Sequence, residues 1–270
     1  MSLNLDLQAP VMPRLIAPAA PAALRLHDLT LSYQGHPAVH HLSGEFASGS
    51  MTAVIGPNGA GKSSLLHALA GRLKPSGGRI ERQQLDAASA LTRTAYLPQQ
   101  AEIDRSFPIL ALDLVMLGHW QRLGGLRGAS AAQKEQALHA LEAVGLRGFE
   151  RRLIAELSVG QFQRLLFARV MLQDAALILL DEPFNAIDAR TTAELLVLLK
   201  RWHGEQRTII AVLHDMEQVR QHFPQALLLA REAIAWGDST EVLKPQHLLR
   251  TRQMAEAWDE QAAWCEKVVA

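Results

Sequence analysis

Residues 51–64 read MTAVIGPNGAGKSS. A short, mostly apolar run (51–55) ends abruptly in a glycine-rich loop, and helix formers (Leu65, Leu66, Ala68, Leu69, Ala70) follow at once. The loop fits G-x-x-x-x-G-K-[ST], with Gly56, Gly61, Lys62 and Ser63 at the fixed places. A strand delivers the chain, and glycines let the backbone curl until successive N–H groups point at one anion. The following helix adds the positive end of its dipole. Lys62 would then reach the β- and γ-phosphates of a nucleotide, and the Ser63 hydroxyl would ligate Mg²⁺. A chain this long shows the four fixed positions by accident roughly once in a hundred. The flanking strand and helix make this a nucleotide phosphate site.

Working outward, the chain has 270 residues, room for one large α/β domain or two small ones. With 27 basic and 27 acidic residues, no net basic field points to a nucleic-acid partner. A single cysteine, Cys265, rules out an internal disulfide and suits a reducing cytosol. No apolar run approaches the ~20 residues needed to span a bilayer, so any membrane role is expected to need a separate partner. Residues 1–23 are Ala- and Pro-rich, with Pro10, Pro13, Pro18 and Pro21 in quick succession, and read as a disordered tail.

Between the tail and the loop, LRLHDLTLSY (24–33) alternates as a strand does, and a second strand pattern leads through Phe46 to Ile55. Tyr33, at a strand end upstream of the loop, could pack or could stack on a purine base. Beyond the phosphate helix, AYLPQQ (95–100) reads as a short buried strand ending in amides. Residues from 103 to about 157 turn helical and arginine-rich, like an insert in an α/β domain. Within it Ser130 and Gln133 form a capping box, Leu138, Leu141 and Val144 share a face, and Gly145 stops the helix.

LSVGQFQR (157–164) opens an amphipathic helix, where a Ser-x-Gly start could expose N–H groups to an anion or could be a plain N-cap. LILLDEP (177–183) is four aliphatic residues ending in two carboxylates, as in a central parallel strand. Asp181 could hold Mg²⁺ through water and Glu182 could polarise an attacking water, or the two could be a surface pair. TIIAVLHD (208–215) ends in His214, at the strand end where open α/β sheets bind ligands. The adjacent His40 and His41 point to opposite faces of a strand and make a poor metal pair.

In this order, the pieces resemble the ATP-binding-cassette family, specifically the ATPase subunit of a transporter, over residues 24–250. GPNGAGKS looks like its Walker A loop, Gln99 its Q-loop glutamine, LSVGQ its signature and LILLDE its Walker B. Ala186-Ile187-Asp188 looks like its D-loop and His214 its switch histidine. The resemblance implies an α/β fold, a P-loop NTPase (RecA-like) core with a mainly parallel sheet. An N-terminal antiparallel β subdomain and an inserted α-helical subdomain, about 103–165, would complete it, with a helical tail at 251–270.

The same resemblance implies that ATP and Mg²⁺ are bound by Tyr33, Gly56, Asn58, Gly59, Gly61, Lys62, Ser63, Ser64 and Gln99. Ser63, Gln99 and Asp181 would serve the metal, and Glu182, His214 and Lys62 the chemistry. It implies a head-to-tail homodimer in which Ser158, Gly160 and Gln161 clamp the partner's γ-phosphate, and it counts Asp188 among the nucleotide-binding residues. Val159 stands where the commonest signature has glycine. An integral membrane permease, docked on the Gln99 loop and helical insert at the cytoplasmic face, would complete the transporter, with a periplasmic or extracellular binding protein acting indirectly.

Other classes fit less well. DNA-repair cassettes insert long coiled coils and translation cassettes come in tandem, whereas here Lys62 and Asp181 are 119 residues apart in one cassette. A GTPase would need an Asn-Lys-x-Asp motif, which is missing. For cargo, Asp104-x-Ser106-Phe107-Pro108-Ile109 followed by Leu117-Gly118 is similar to the zinc- and manganese-importing branch. Siderophore and cobalamin importers have a similar Leu-Gly step but usually lack the Ser-Phe-Pro-Ile run, and stand as the alternative.

Overall fold

The computed structural model describes residues 22–33, 36–82, 94–99, 104–120 and 128–256. Most of the expected N-terminal tail, Cys265 and the last fourteen residues of the expected C-terminal tail lie outside these.

Two long strands, β1 (Ala22–Tyr33) and β2 (His36–Ala47), form a hairpin that leads into β3 (Met51–Ile55) and helix α1 (Lys62–Leu69). Strand β4 (Gly77–Arg82) returns to β1, giving an antiparallel three-stranded sheet in the order β2-β1-β4. Next come β5 (Thr94–Leu97), α2 (Ala111–Met116), α3 (Ala131–Ala143), α4 (Val159–Gln173) and β6 (Leu177–Asp181). The chain continues with α5 (Ala189–Gly204), β7 (Thr208–Val212), α6 (Met216–His222), β8 (Gln225–Ala230), β9 (Glu232–Asp238), α7 (Ser239–Val242) and α8 (Pro245–Glu256). The main sheet has the order β5-β6-β7-β3-β8-β9 and is parallel except for β9.

Strands β3, β6 and β7 are buried at every position, as expected of parallel strands covered on both faces. Alternation sends Ala53 and Ile55 to the side covered by α4 and α5, and Val54 to the side covered by α1 and the small sheet. There Leu65, Leu66 and Leu69 of α1 are fully buried. Each contributes about 1.5–3 kcal/mol, so the phosphate helix is fixed by its apolar side, and no side chain caps its start. Trp236 of β9 packs on Phe46, with ring centroids 4.7 Å apart, and joins the two sheets.

Helix α3 has both bonds of the expected capping box: Gln133 N–H donates to Ser130 Oγ, and Ser130 N–H to Gln133 Oε1. Gly145 follows at φ 74°. The apolar face differs from the expected one. Leu138 is 37% exposed, and the buried stripe is Ala137, Ala140, Leu141 and Val144, the i, i+3, i+4, i+7 set. Position 165, near the insert's expected end, lies within α4, which is buried at Leu165, Leu166 and Val170.

Candidate functional site

The phosphate loop is gripped from both sides. Arg231 N–H donates to Ala60 O at 3.0 Å, anchoring the loop to the β8–β9 turn. A Cβ on Gly56 would lie 2.0 Å from Leu229 O, and one on Gly61 would lie 2.2 Å from Ala38 O. Both glycines also have positive φ, 153° and 89°. No side chain fits at either place. Gly61 is the N-cap of α1, whose first residues are Lys62, Ser63 and Ser64, while Asn58 and Gly59 sit exposed at the loop tip. Lys62 is 6% exposed and donates through Nζ to Gly56 O at 2.9 Å and Pro57 O at 2.8 Å. Burial lowers its pKa, and the nearby Glu182 and Asp181 charges oppose that.

Strands β6 and β7 deliver the acidic end of the site. Asp181, the last residue of β6, is 2% exposed, and burial raises its pKa. The neighbouring Ser63 hydroxyl works against that rise, while Oδ1 is buried with no hydrogen-bond partner. Such an unmatched buried acceptor is costly and calls for a cation or water. A carboxylate oxygen and a hydroxyl are the hard donors Mg²⁺ takes, so the residues present fit that ion.

Glu182 turns out of the strand at φ 48°, a left-handed conformation that costs a non-glycine residue about 1–3 kcal/mol. Its carboxylate is held on three sides. His214 Nε2 lies 2.5 Å from Oε1, Gln99 Nε2 donates to Oε2 at 2.8 Å, and Asn185 Nδ2 donates to Oε2 at 3.1 Å. The side chain is 13% exposed and His214 is 45% exposed, so the site opens to solvent on the histidine side. Asn185 had no signal in the sequence beyond its place three residues after Glu182.

Lys62, Ser63, Gln99, Asp181, Glu182 and His214 therefore converge. Ser158 and Gln161 bond each other: Gln161 N–H donates to Ser158 Oγ, and Ser158 N–H to Gln161 Oε1, a capping box on α4, with Gly160 between them on the helix's first turn. Asp188 caps α5, accepting from Thr191 N–H at 2.9 Å and Thr191 Oγ1 at 2.8 Å, and these bonds lower its pKa. Tyr33 ends β1 opposite His36. His41 lies 2.7 Å from Asp28 and is exposed while His40 is buried.

A glycine-bent phosphate cradle facing two strand-end carboxylates and a histidine defines a P-loop ATPase. The chain belongs to the ABC transporter family, whose model matches residues 39–185. It is 37% identical to the manganese transport system ATP-binding protein MntB of Listeria monocytogenes, over 79% of this chain and 89% of that one. It is 36% identical to the zinc transport system ATP-binding protein TroB of Treponema pallidum, over 84% and 86%. Among solved structures, a metal-chelate type ABC transporter in an inward-facing conformation superposes with a TM-score of 0.75 at 28% identity, covering 86% and 89%. A dimeric post-hydrolysis ATP-binding cassette bound to ADP and Pi superposes at 0.69 with 25% identity, covering 80% and 98%. Among the described residues no helix is long and apolar enough to cross a membrane.

Proposed function

We propose that this chain is the ATP-hydrolysing subunit of an importer for a divalent metal ion, zinc or manganese, working through a separate membrane permease. The observation that carries the catalytic part is the Glu182 carboxylate, held by three side chains beside the phosphate loop. A carboxylate fixed on three sides cannot rotate away and presents one direction to a water. Glu182 takes the proton of that water as it attacks the γ-phosphorus in line, the bond to the β–γ bridging oxygen breaks so that ADP leaves and phosphate forms, and His214 holds the carboxylate in place. Lys62 leaves the carbonyls of Gly56 and Pro57 for the β- and γ-phosphates. Gly56, Asn58, Gly59, Gly61, Ser63 and Ser64 line the cradle, and Tyr33 stacks on the base. Ser63, Asp181 and Gln99 would hold Mg²⁺, which would supply positive charge to offset that of the phosphates.

Two chains are proposed to pair head to tail, each offering Ser158, Gly160, Gln161 and Asp188 to the nucleotide of the other. ATP favours this closed state because its γ-phosphate gains contacts there, and hydrolysis removes them. The subunit sits at the cytoplasmic face of the membrane, with a binding protein on the outer side delivering cargo to the permease. Support for the metal comes from relatives named for manganese and zinc transport. The metal-chelate type neighbour supports a second reading, import of an iron chelate. Deleting the gene and measuring cell zinc, manganese and iron under starvation for each separates them. Loss of zinc or manganese supports the first reading; unchanged zinc and manganese with failed use of an iron chelate supports the second.

A further inference from the structure

Segment 182–188 carries two non-glycine residues at positive φ, Glu182 at 48° and Ala186 at 58°. Neighbours must hold such a strained turn in place, and two consecutive residues of α4 do so from its two ends. Gln163 is fully buried and donates through Nε2 to Pro183 O at 2.7 Å, the carbonyl one residue past Glu182. Arg164 donates through Nη2 to Thr191 Oγ1 at 3.1 Å, and that hydroxyl donates in turn to Asp188 Oδ2 at 2.8 Å. Arg164 is itself braced by Glu194 at 2.6 Å and by Val144 O at 3.3 Å. Both residues stand less than one turn beyond Gln161, on the helix that Ser158 caps.

We infer that Gln163 and Arg164 are positioning residues that tie the register of the signature helix to the orientation of Glu182. The geometry makes the tie short. Any rotation or slide of α4 moves Gln163 Nε2, and Pro183 O must follow or lose its buried partner. Pro183 cannot shift without turning the Glu182 peptide, whose N–H donates to Val212 O at 3.2 Å on the strand side, while the carboxylate is held at its far end by His214, Gln99 and Asn185. An event felt at Ser158–Gln161 thus reaches the hydrolytic carboxylate through one hydrogen bond. This rests on the proposal above that Glu182 activates water, and adds that α4 sets where it points.

The test is Gln163→Met, which keeps length and apolar bulk but removes the donor. Steady-state ATP hydrolysis should show kcat lowered about tenfold or more while KM for ATP stays within about threefold, because the phosphate loop is untouched. In a Glu182→Gln background the same change should lower the residual rate by less than about threefold, since there is no carboxylate left to aim. A purely structural role would lower both backgrounds alike. If Gln163→Met no longer binds ATP, Thr191→Val, which cuts the Arg164 arm with an isosteric side chain, takes its place with the same thresholds. Parent-like kcat in the deciding variant, or equal losses in both backgrounds, would overturn the inference. An active Glu182→Gln single variant would instead overturn the reading on which it rests.

Discussion

His214 Nε2 lies 2.5 Å from Glu182 Oε1, and the two residues reach that contact from the carboxyl ends of the neighbouring strands β7 and β6. The contact joins a half-exposed ring to a mostly buried carboxylate. His214→Ala should therefore leave the fold intact and free the carboxylate to rotate. We expect kcat to fall about ten- to hundredfold, with KM for ATP changed by less than about threefold. Phosphate release measured across an ATP titration checks the split; a raised KM at unchanged kcat would place His214 in binding instead.

Gly56 and Gly160 should respond oppositely to alanine. At Gly56 the new Cβ meets the Leu229 carbonyl at 2.0 Å, and φ is 153°, so backbone must move. A loss of about 2–4 kcal/mol in stability is expected, with nucleotide binding lost. At Gly160 the nearest atom would be Thr191 Oγ1 at 3.5 Å, an ordinary contact. Alanine there suits the helix and should raise stability by up to about 1 kcal/mol. If a second chain's nucleotide approaches that face, hydrolysis should still fall at least about tenfold. Thermal melts beside turnover assays decide it, and a fully active Gly160→Ala would count against the shared site.

Asp181 gives a pH signature. Burial raises its pKa, so the folded carboxyl holds its proton more tightly than the unfolded one. Its contribution is full below the ordinary aspartate value and is lost as pH rises through the raised folded value. Nucleotide-free protein should thus lose stability relative to Asp181→Asn across that window, with the asparagine variant the more stable at neutral pH. Adding ATP with Mg²⁺ should stabilise the parent more than the variant, which keeps the phosphate loop but lacks one proposed Mg²⁺ ligand. Denaturant melts at several pH values test both statements.

The phosphate loop was legible because its chemistry is local: four fixed residues between an apolar strand and a helix state their purpose within fourteen positions. Strands β6 and β7 were legible for the same reason, each an aliphatic run ending in polar groups. The grip on Glu182 was only partly so. His214 and Gln99 stood out at strand ends, but Asn185 acts through a left-handed turn that no periodicity announces. Nothing in the local pattern of LSVGQFQR marks Gln163 as buried, and only the tertiary fold sets it against Pro183. Leu138 failed the other way, since a one-dimensional apolar count cannot see which stripe of α3 meets α4. Strand β9 is half-exposed and lacks a clean alternation, so its pairing with β8 emerges only in three dimensions.

A change confined to one side chain addresses the hydrolytic account most directly: the ATP turnover of Glu182→Gln, measured with ATP affinity in the same preparation. The amide keeps the shape but cannot take a proton from water. Turnover should fall about 10²–10⁴-fold while ATP still binds within a few-fold of the parent. Turnover within about threefold of the parent, at unchanged affinity, would contradict the assignment of Glu182 as the residue that activates water.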